Sequence, residues 1–270
     1  MKLSVAAATD NAPDTAFVVF RGLENSIKNA AELGYHGIEL ALARSSDVDP
    51  TKLAKCLSDN RMEISAISTG LVYAKEGISL LETPEAAAPV FRELIDIAAD
   101  FGKKVNIGRS RGFKKGLSLD EAILKLKKAL EPLVVYASSK GVTFMLEPVN
   151  RYEIDWIPNV SEGAYVLEKM GLEGMGLMPD VFHMNIEDPC IPKALVEYKQ
   201  HIHYVHAADS NRHAPGWGHL DFQSIFAALK DAAYDGWVSV EILPIPSPLE
   251  AAKQAADFLL PFVKAHKIEV

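Results

Sequence analysis

Two glutamates, an aspartate and a histidine each close a short apolar run in the second half of the chain. Val142 to Leu146 runs into Glu147, and Gly176 onward reaches Asp180 inside MPDVFHMN. Ile202 onward reaches His206 inside VHAADSNR, and Trp237 onward reaches Glu241 inside VSVEILP. An apolar run that stops at an acid reads as a strand buried on both faces, presenting one polar side chain at its C-terminal edge. Pro148, directly after Glu147, blocks simple continuation of an interior strand. Taken singly, a strand-end carboxylate is often a salt-bridge partner and a histidine is often a satisfied rim residue. Three carboxylates converging on one imidazole are another matter, because they repel one another and burial raises the cost of their charge. A divalent cation removes both problems. The donor set is oxygen-rich, with one imidazole and no thiolate. It disfavours a structural zinc site and suits Mn²⁺, with Mg²⁺ or Co²⁺ as alternatives.

Around these expected ligands stand residues suited to a polar substrate. Glu153, His183 and Arg212 follow Glu147, Asp180 and His206 and are expected in loops above the rim, where His183 would donate to a substrate oxygen and Arg212 would neutralise an oxyanion. Arg109 and Arg111 follow the fourth strand, and a guanidinium there could take a substrate carboxylate in bidentate geometry. Tyr73 and Lys75, after the third strand, are secondary contacts. Arg151 has no assigned role and is expected to brace its loop or Glu147.

The elements that must hold these residues alternate strictly. Strands are expected at Lys2 to Ala8, Gly37 to Leu42 (with Glu39 inside it), Glu63 to Ser68, Val105 to Gly108, Val142 to Glu147, Gly176 to Asp180, Ile202 to Ala207 and Trp237 to Ile242. Helical patterns lie between them. Ser118 with Glu121 forms a capping box, Thr83-Pro84-Glu85 and Ser247-Pro248 are helix starts, and Gly34 and Gly171 are stops. Pro132 and Pro261 are expected to kink or interrupt their helices. Strand–helix alternation argues for parallel strands joined by right-handed crossovers. Eight such units with no long linker suit a single (β/α)8 TIM barrel over residues 1–270, whose active site lies at the C-terminal strand ends. No phosphate-loop or dinucleotide fingerprint follows the first strand.

Composition removes several classes. Apolar content is 49% and charged content 24% over 270 residues, ordinary for a globular protein. The net charge of −8 and the absence of a long basic run argue against a nucleic-acid partner. Cys56 and Cys190 have no cysteine neighbours and read as free thiols. No stretch approaches a membrane span, and a cytoplasmic location is expected by default.

The segments LEPVNRYE at 146–153, DVFHMNIED at 180–188, HAADSNRHAPGWGHLDF at 206–222 and VSVE ending at Glu241 resemble the xylose-isomerase-like TIM barrel superfamily, and within it the D-tagatose/D-psicose 3-epimerase group. The NRYE and ADSNR segments and the arginine-containing loop after strand four look most like the subgroup of 5-keto-L-gluconate epimerases. The resemblance implies Mn²⁺ held by Glu147, Asp180, His206 and Glu241, and substrate contacts from Glu153, His183 and Arg212. It implies inversion of the carbon next to the ketone of a keto sugar or keto sugar acid, of the 5-keto-L-gluconate or D-tagaturonate type. The proton would be removed and returned through a metal-held enediolate, with Glu147 and Glu241 as the acid/base pair. The alternatives are a D-tagatose/D-psicose (ketohexose) 3-epimerase, an aldose–ketose isomerase and a non-catalytic sugar-acid binding barrel. A multi-metal nuclease on the same barrel would need more histidines at strand ends than positions 36, 183, 201, 203, 206, 213, 219 and 266 supply. The family commonly forms dimers or tetramers.

Overall fold

The computed structural model describes residues 1–14 and 16–265, so that His266 lies outside the described residues. Eight strands form the barrel: β1 (Lys2–Ala8), β2 (Gly37–Ala41), β3 (Glu63–Ser68), β4 (Lys104–Ile107), β5 (Thr143–Leu146), β6 (Met175–Leu177), β7 (Val205–Ala207) and β8 (Trp237–Val240). Each pairs in parallel with its neighbour in chain order from β1 to β6, and β8 pairs with both β1 and β7. Parallel bridges Leu177–Ile202 and Asp180–His206 join the β6 and β7 segments and close the ring. A two-residue strand, Phe20–Arg21, adds to the outer end of β1. The expected TIM barrel is the observed fold.

Helices cover the outside because each has one apolar face. Pro84–Asp100 buries Val90, Phe91, Leu94, Ile95 and Ala98, a helical spacing that seals the sheet. Leu119–Ser139 begins at the Ser118–Glu121 capping box, as expected. It runs unbroken through Pro132, and Pro248–Ala265 runs unbroken through Pro261. Neither proline interrupts its helix. The residues four positions earlier, Lys128 and Asp257, lie on the exposed face, where water can satisfy the carbonyl left without a donor. Among the described residues, no helix is long and apolar enough to cross a membrane.

Two departures bear on the rim. β6 is short, and the chain turns at Asp180 into a helix, Val181–Glu187, that Asp180 caps by accepting from Phe182 N at 2.8 Å. His183 therefore sits in a helix and not in a loop. After β3 a second short helix, Gly70–Glu76, carries Tyr73 and Lys75.

Candidate metal centre

Glu147, Asp180, His206 and Glu241 each offer one ligand atom, and these atoms lie within 4.8 Å of one another. Glu147 and Glu241 directly follow β5 and β8, His206 lies within β7, and Asp180 is pinned beside it by the Asp180–His206 bridge. All four side chains are buried or nearly so. His206 Nδ1 stands 3.5 Å from Glu147 Oε1 and 3.7 Å from Glu241 Oε2. Two polar atoms aimed into the cluster, His206 Nδ1 and Asp180 Oδ2, are buried without a hydrogen-bond partner. Buried polar atoms are nearly always paired, so orphans of this kind call for an explanation. A divalent cation at their centre would satisfy both, and the oxygen-rich donor set fits one.

The electrostatics carry the same strain. Burial, reinforced by Glu147 and Asp180, pushes Glu241 up to about 8 against the pull of His206 and Arg212. Burial likewise raises Asp180, although Arg212 and His206 oppose it. His206 goes up despite its burial, because Glu39, Glu241 and Glu147 favour its charged form. Negative charge at the cluster exceeds what the resident cations offset.

Arg212 is the nearest of those cations. Its Nη2 donates to Glu241 Oε2 and stands 3.4 Å from Asp180 Oδ2. The guanidinium is sandwiched between Phe17, at 4.2 Å from the ring centre, and Phe182, at 4.6 Å. Its backbone has φ +58°, a left-handed conformation uncommon outside glycine. His183 has a definite tautomer. Tyr152 N donates to Asn150 Oδ1 at 2.9 Å, which orients the amide so that Nδ2 donates to His183 Nδ1 at 2.7 Å. The proton of His183 is therefore on Nε2, which lies 3.8 Å from both Glu147 Oε1 and Asp180 Oδ2. Burial, with Arg212 and His206 beside it, lowers His183 well below the usual imidazole range and keeps it neutral.

A pocket of about 580 Å³, part of it open to solvent, lies over the cluster. Glu147, Glu241, Glu153, His183, Arg212 and Arg109 line it, whereas Asp180 and His206 do not. Asn150 Nδ2 also donates to Glu153 Oε1 at 3.1 Å, and Arg109 Nε lies 4.0 Å from Glu153 Oε2.

Two expected contacts are corrected. Arg111 is fully buried and spends its guanidinium on main-chain carbonyls: Nη1 donates to Gly108 O and Glu147 O, and Nη2 to Trp156 O and Ile157 O. It braces the backbone that carries Glu147 and does not reach the pocket. Tyr73 packs its ring on Phe113 at 6.1 Å, and Gly70, Leu71 and Ala74 of its helix line the pocket in its place. Arg151 braces its loop by pairing with Glu187 at the end of the Asp180 helix.

Several contributors went unread in the sequence. Phe17 and Gly108 line the pocket, and a Cβ at Gly108 would stand 2.4 Å from Glu147 Oε2. Nothing in the sequence marks either residue. Glu39 accepts from His206 Nε2 at 2.8 Å, and here a signal did exist, an acid inside an otherwise apolar strand.

Comparison with known proteins gives a consistent grouping. A family model described as Xylose isomerase-like TIM barrel matches residues 27–262. The chain is 33% identical over 226 residues to the L-ribulose 3-epimerase of Mesorhizobium japonicum, covering 81% of this chain and 75% of that protein. It is 31% identical over 224 residues to the D-psicose 3-epimerase of Agrobacterium fabrum, covering 80% and 77%. A solved L-ribulose 3-epimerase shares the fold with a TM-score of 0.80 at 24% identity, over 97% of this chain and 95% of that one. These relatives are named for ketoses, and they give no support to the narrower likeness to 5-keto-L-gluconate epimerases.

Proposed function

The chain belongs to the xylose isomerase-like TIM barrel family, and on that premise we propose that it is a metal-dependent 3-epimerase of neutral ketoses, of the D-psicose, D-tagatose or L-ribulose kind. The observation that carries this reading is which members of the cluster face the pocket. Of the four, only Glu147 and Glu241 line it. Inverting a carbon requires proton removal on one face and delivery on the other, so two carboxylates reaching the substrate are the minimum equipment.

The residues fit a divalent cation, with Mn²⁺ the best match to three carboxylates and an imidazole. When bound, it supplies Lewis acidity to the ketone and the neighbouring hydroxyl, which makes the intervening C–H removable. Glu147 and Glu241 take and return the proton at that carbon and exchange roles with the direction of reaction. His183 Nε2–H donates to a substrate oxygen as negative charge develops, and because it is neutral it does so without compensating the carboxylates. The buried Arg212 guanidinium supplies that compensation. Glu153, held by Asn150 and close to Arg109, orients a hydroxyl further along the sugar.

The keto sugar acid expected from the sequence becomes the second reading. It loses Arg111 as an anchor and keeps Arg109, which lines the pocket. The test is a panel of L-ribulose, D-psicose, D-tagatose and keto-hexonates incubated with Mn²⁺ and read by product identity. An epimeric ketose is expected, and an aldose product would make the protein an isomerase. A keto-hexonate preference that disappears in Arg109→Ala would promote the second reading. In D₂O the substrate should gain deuterium at the inverted carbon. Glu147→Gln and Glu241→Gln should each slow turnover by about 10²–10⁴-fold, and full exchange in either variant that still binds Mn²⁺ would remove that residue from its role.

A further inference from the structure

One register shift interrupts the described strand pairing. Ile38 of β2 pairs with Ile64 of β3, and the next residue, Glu39, pairs with Ala66, so Ser65 is the extra residue of a bulge. Bulges re-aim side chains and are common beside active sites. On its other side Glu39 pairs with Ala6. Alanine on both flanking strands leaves room inside the barrel for a carboxylate that is itself only 1% exposed.

Glu39 reaches the metal centre from below. Its Oε2 accepts from His206 Nε2 at 2.8 Å and from the Tyr204 hydroxyl at 3.1 Å. The Tyr204 oxygen in turn lies 2.6 Å from Ser65 Oγ and 3.2 Å from Ser4 Oγ. Because the phenol proton is committed to Glu39, the serines are the donors, Ser65 sharing its proton between Tyr204 and Ile38 O, 3.2 Å away. Ser4, Ser65, Tyr204 and His206 are all fully buried. The bulge thus delivers Ser65 to Tyr204, Tyr204 orients Glu39, and Glu39 accepts the hydrogen bond of His206 Nε2–H. What remains on His206 is Nδ1, the orphaned atom that faces Glu147 and Glu241.

We propose that Glu39 and Tyr204 are positioning residues that fix His206 as an Nδ1 ligand and set how tightly the cluster holds its cation. The proposal rests on the metal-centre reading above. A carboxylate accepting the far N–H of a ligating histidine locks ring and tautomer and raises the basicity of the ligating nitrogen, and loss of such a partner typically weakens metal affinity 10–100-fold. Tyr204 acts through Glu39, so its effect is smaller and vanishes when Glu39 is changed.

The experiment is Mn²⁺ binding, measured as free Mn²⁺ by electron paramagnetic resonance, on the full chain and on Glu39→Gln, Tyr204→Phe, the double variant and His206→Gln. Melting temperatures of the metal-free proteins are recorded alongside. Glu39→Gln should bind about 10–100-fold more weakly. Tyr204→Phe should bind more weakly by a few-fold, and the double variant should match Glu39→Gln alone. Unchanged affinity in Glu39→Gln, with binding lost in His206→Gln, overturns the proposal and leaves the metal centre standing. Absence of Mn²⁺ binding in the unaltered chain overturns the metal centre and the proposal together. If Glu39→Gln does not fold, Tyr204→Phe decides, and wild-type affinity there overturns the relay.

Discussion

Strands β5 to β8 bring Glu147, Asp180, His206 and Glu241 to the rim, whereas the ends of β2 to β4 offer the pocket Ala41, Ser68, Asn106 and Gly108. One half of the barrel concentrates charge where burial makes charge costly. The other half is small and mostly uncharged there, and among its described residues Arg109 is the one ionised residue on the pocket wall. The contrast separates two requirements of the proposed reaction. Proton transfer needs ionisable groups in a dry, crowded place. A substrate needs space beside them, and that space is made by side chains that are absent or short. The first half also serves the second from behind: Glu39 holds His206, Arg111 holds the Glu147 backbone, and Gly108 leaves room for the Glu147 carboxylate.

The strongest way to break this division is to fill the space. Gly108→Ala would place a Cβ 2.4 Å from Glu147 Oε2, an impossible contact, so that the carboxylate must move. A displacement of about 1 Å at a catalytic group can cost about 10²-fold, and we expect at least that loss in kcat with the fold retained by circular dichroism. Full activity in Gly108→Ala would show that the first half does not set the position of the proposed base.

Arg111 tests the support from behind. Removing its guanidinium leaves the Glu147 and Trp156 carbonyls without the donor it supplies, whereas Gly108 O keeps Arg111 N and Ile157 O keeps Val149 N. Arg111→Met should destabilise by about 3 kcal/mol, judged from the cost of unsatisfied buried groups, seen as a shifted urea midpoint with an unchanged slope. A stability equal to the unaltered chain, with a raised KM, would return Arg111 to the substrate side.

These cases also show what could be read from the sequence and what could not. The barrel follows from alternation of strand and helix patterns, which is local. The four candidate ligands stood out because an acid or a histidine at the end of an apolar run is costly unless something compensates it. Arg109 and Arg111 could not be told apart, since they occupy one short 3₁₀ turn and residues two apart there point in different directions. Arg111, expected to anchor a substrate carboxylate, braces the Glu147 backbone instead, whereas Arg151 braces its own loop through Glu187, one of the two roles expected of it. Phe17 and Gly108 are ordinary loop residues until the fold sets them against Arg212 and Glu147. Glu39 was visible as an acid in an apolar strand, but its partner lies 167 residues away in sequence.

Asp188 supplies the finest test, because it is a half-buried charge in the second half that takes no part in the metal cluster. It follows the Asp180 helix, and only Oδ1 finds a donor, Val160 N at 3.3 Å, whereas Oδ2 has none. Burial, with Glu187 next to it, pushes its carboxyl up to about 6, above the usual carboxylate range. A raised carboxyl favours the neutral form in the folded chain. Its contribution to stability is therefore full below about pH 4 and is lost as pH rises through about 6. That rise corresponds to at most ~3 kcal/mol, and partial exposure discounts this to about 1–2 kcal/mol. Asp188→Asn keeps an acceptor for Val160 N and removes the charge. It should raise the melting temperature at pH 8, make almost no difference near pH 4, and leave kcat unaltered. That pattern would separate the charges proposed to serve catalysis from one that only costs stability. A variant less stable at pH 8, or one that loses activity while still folded, would mean that Asp188 also serves the site.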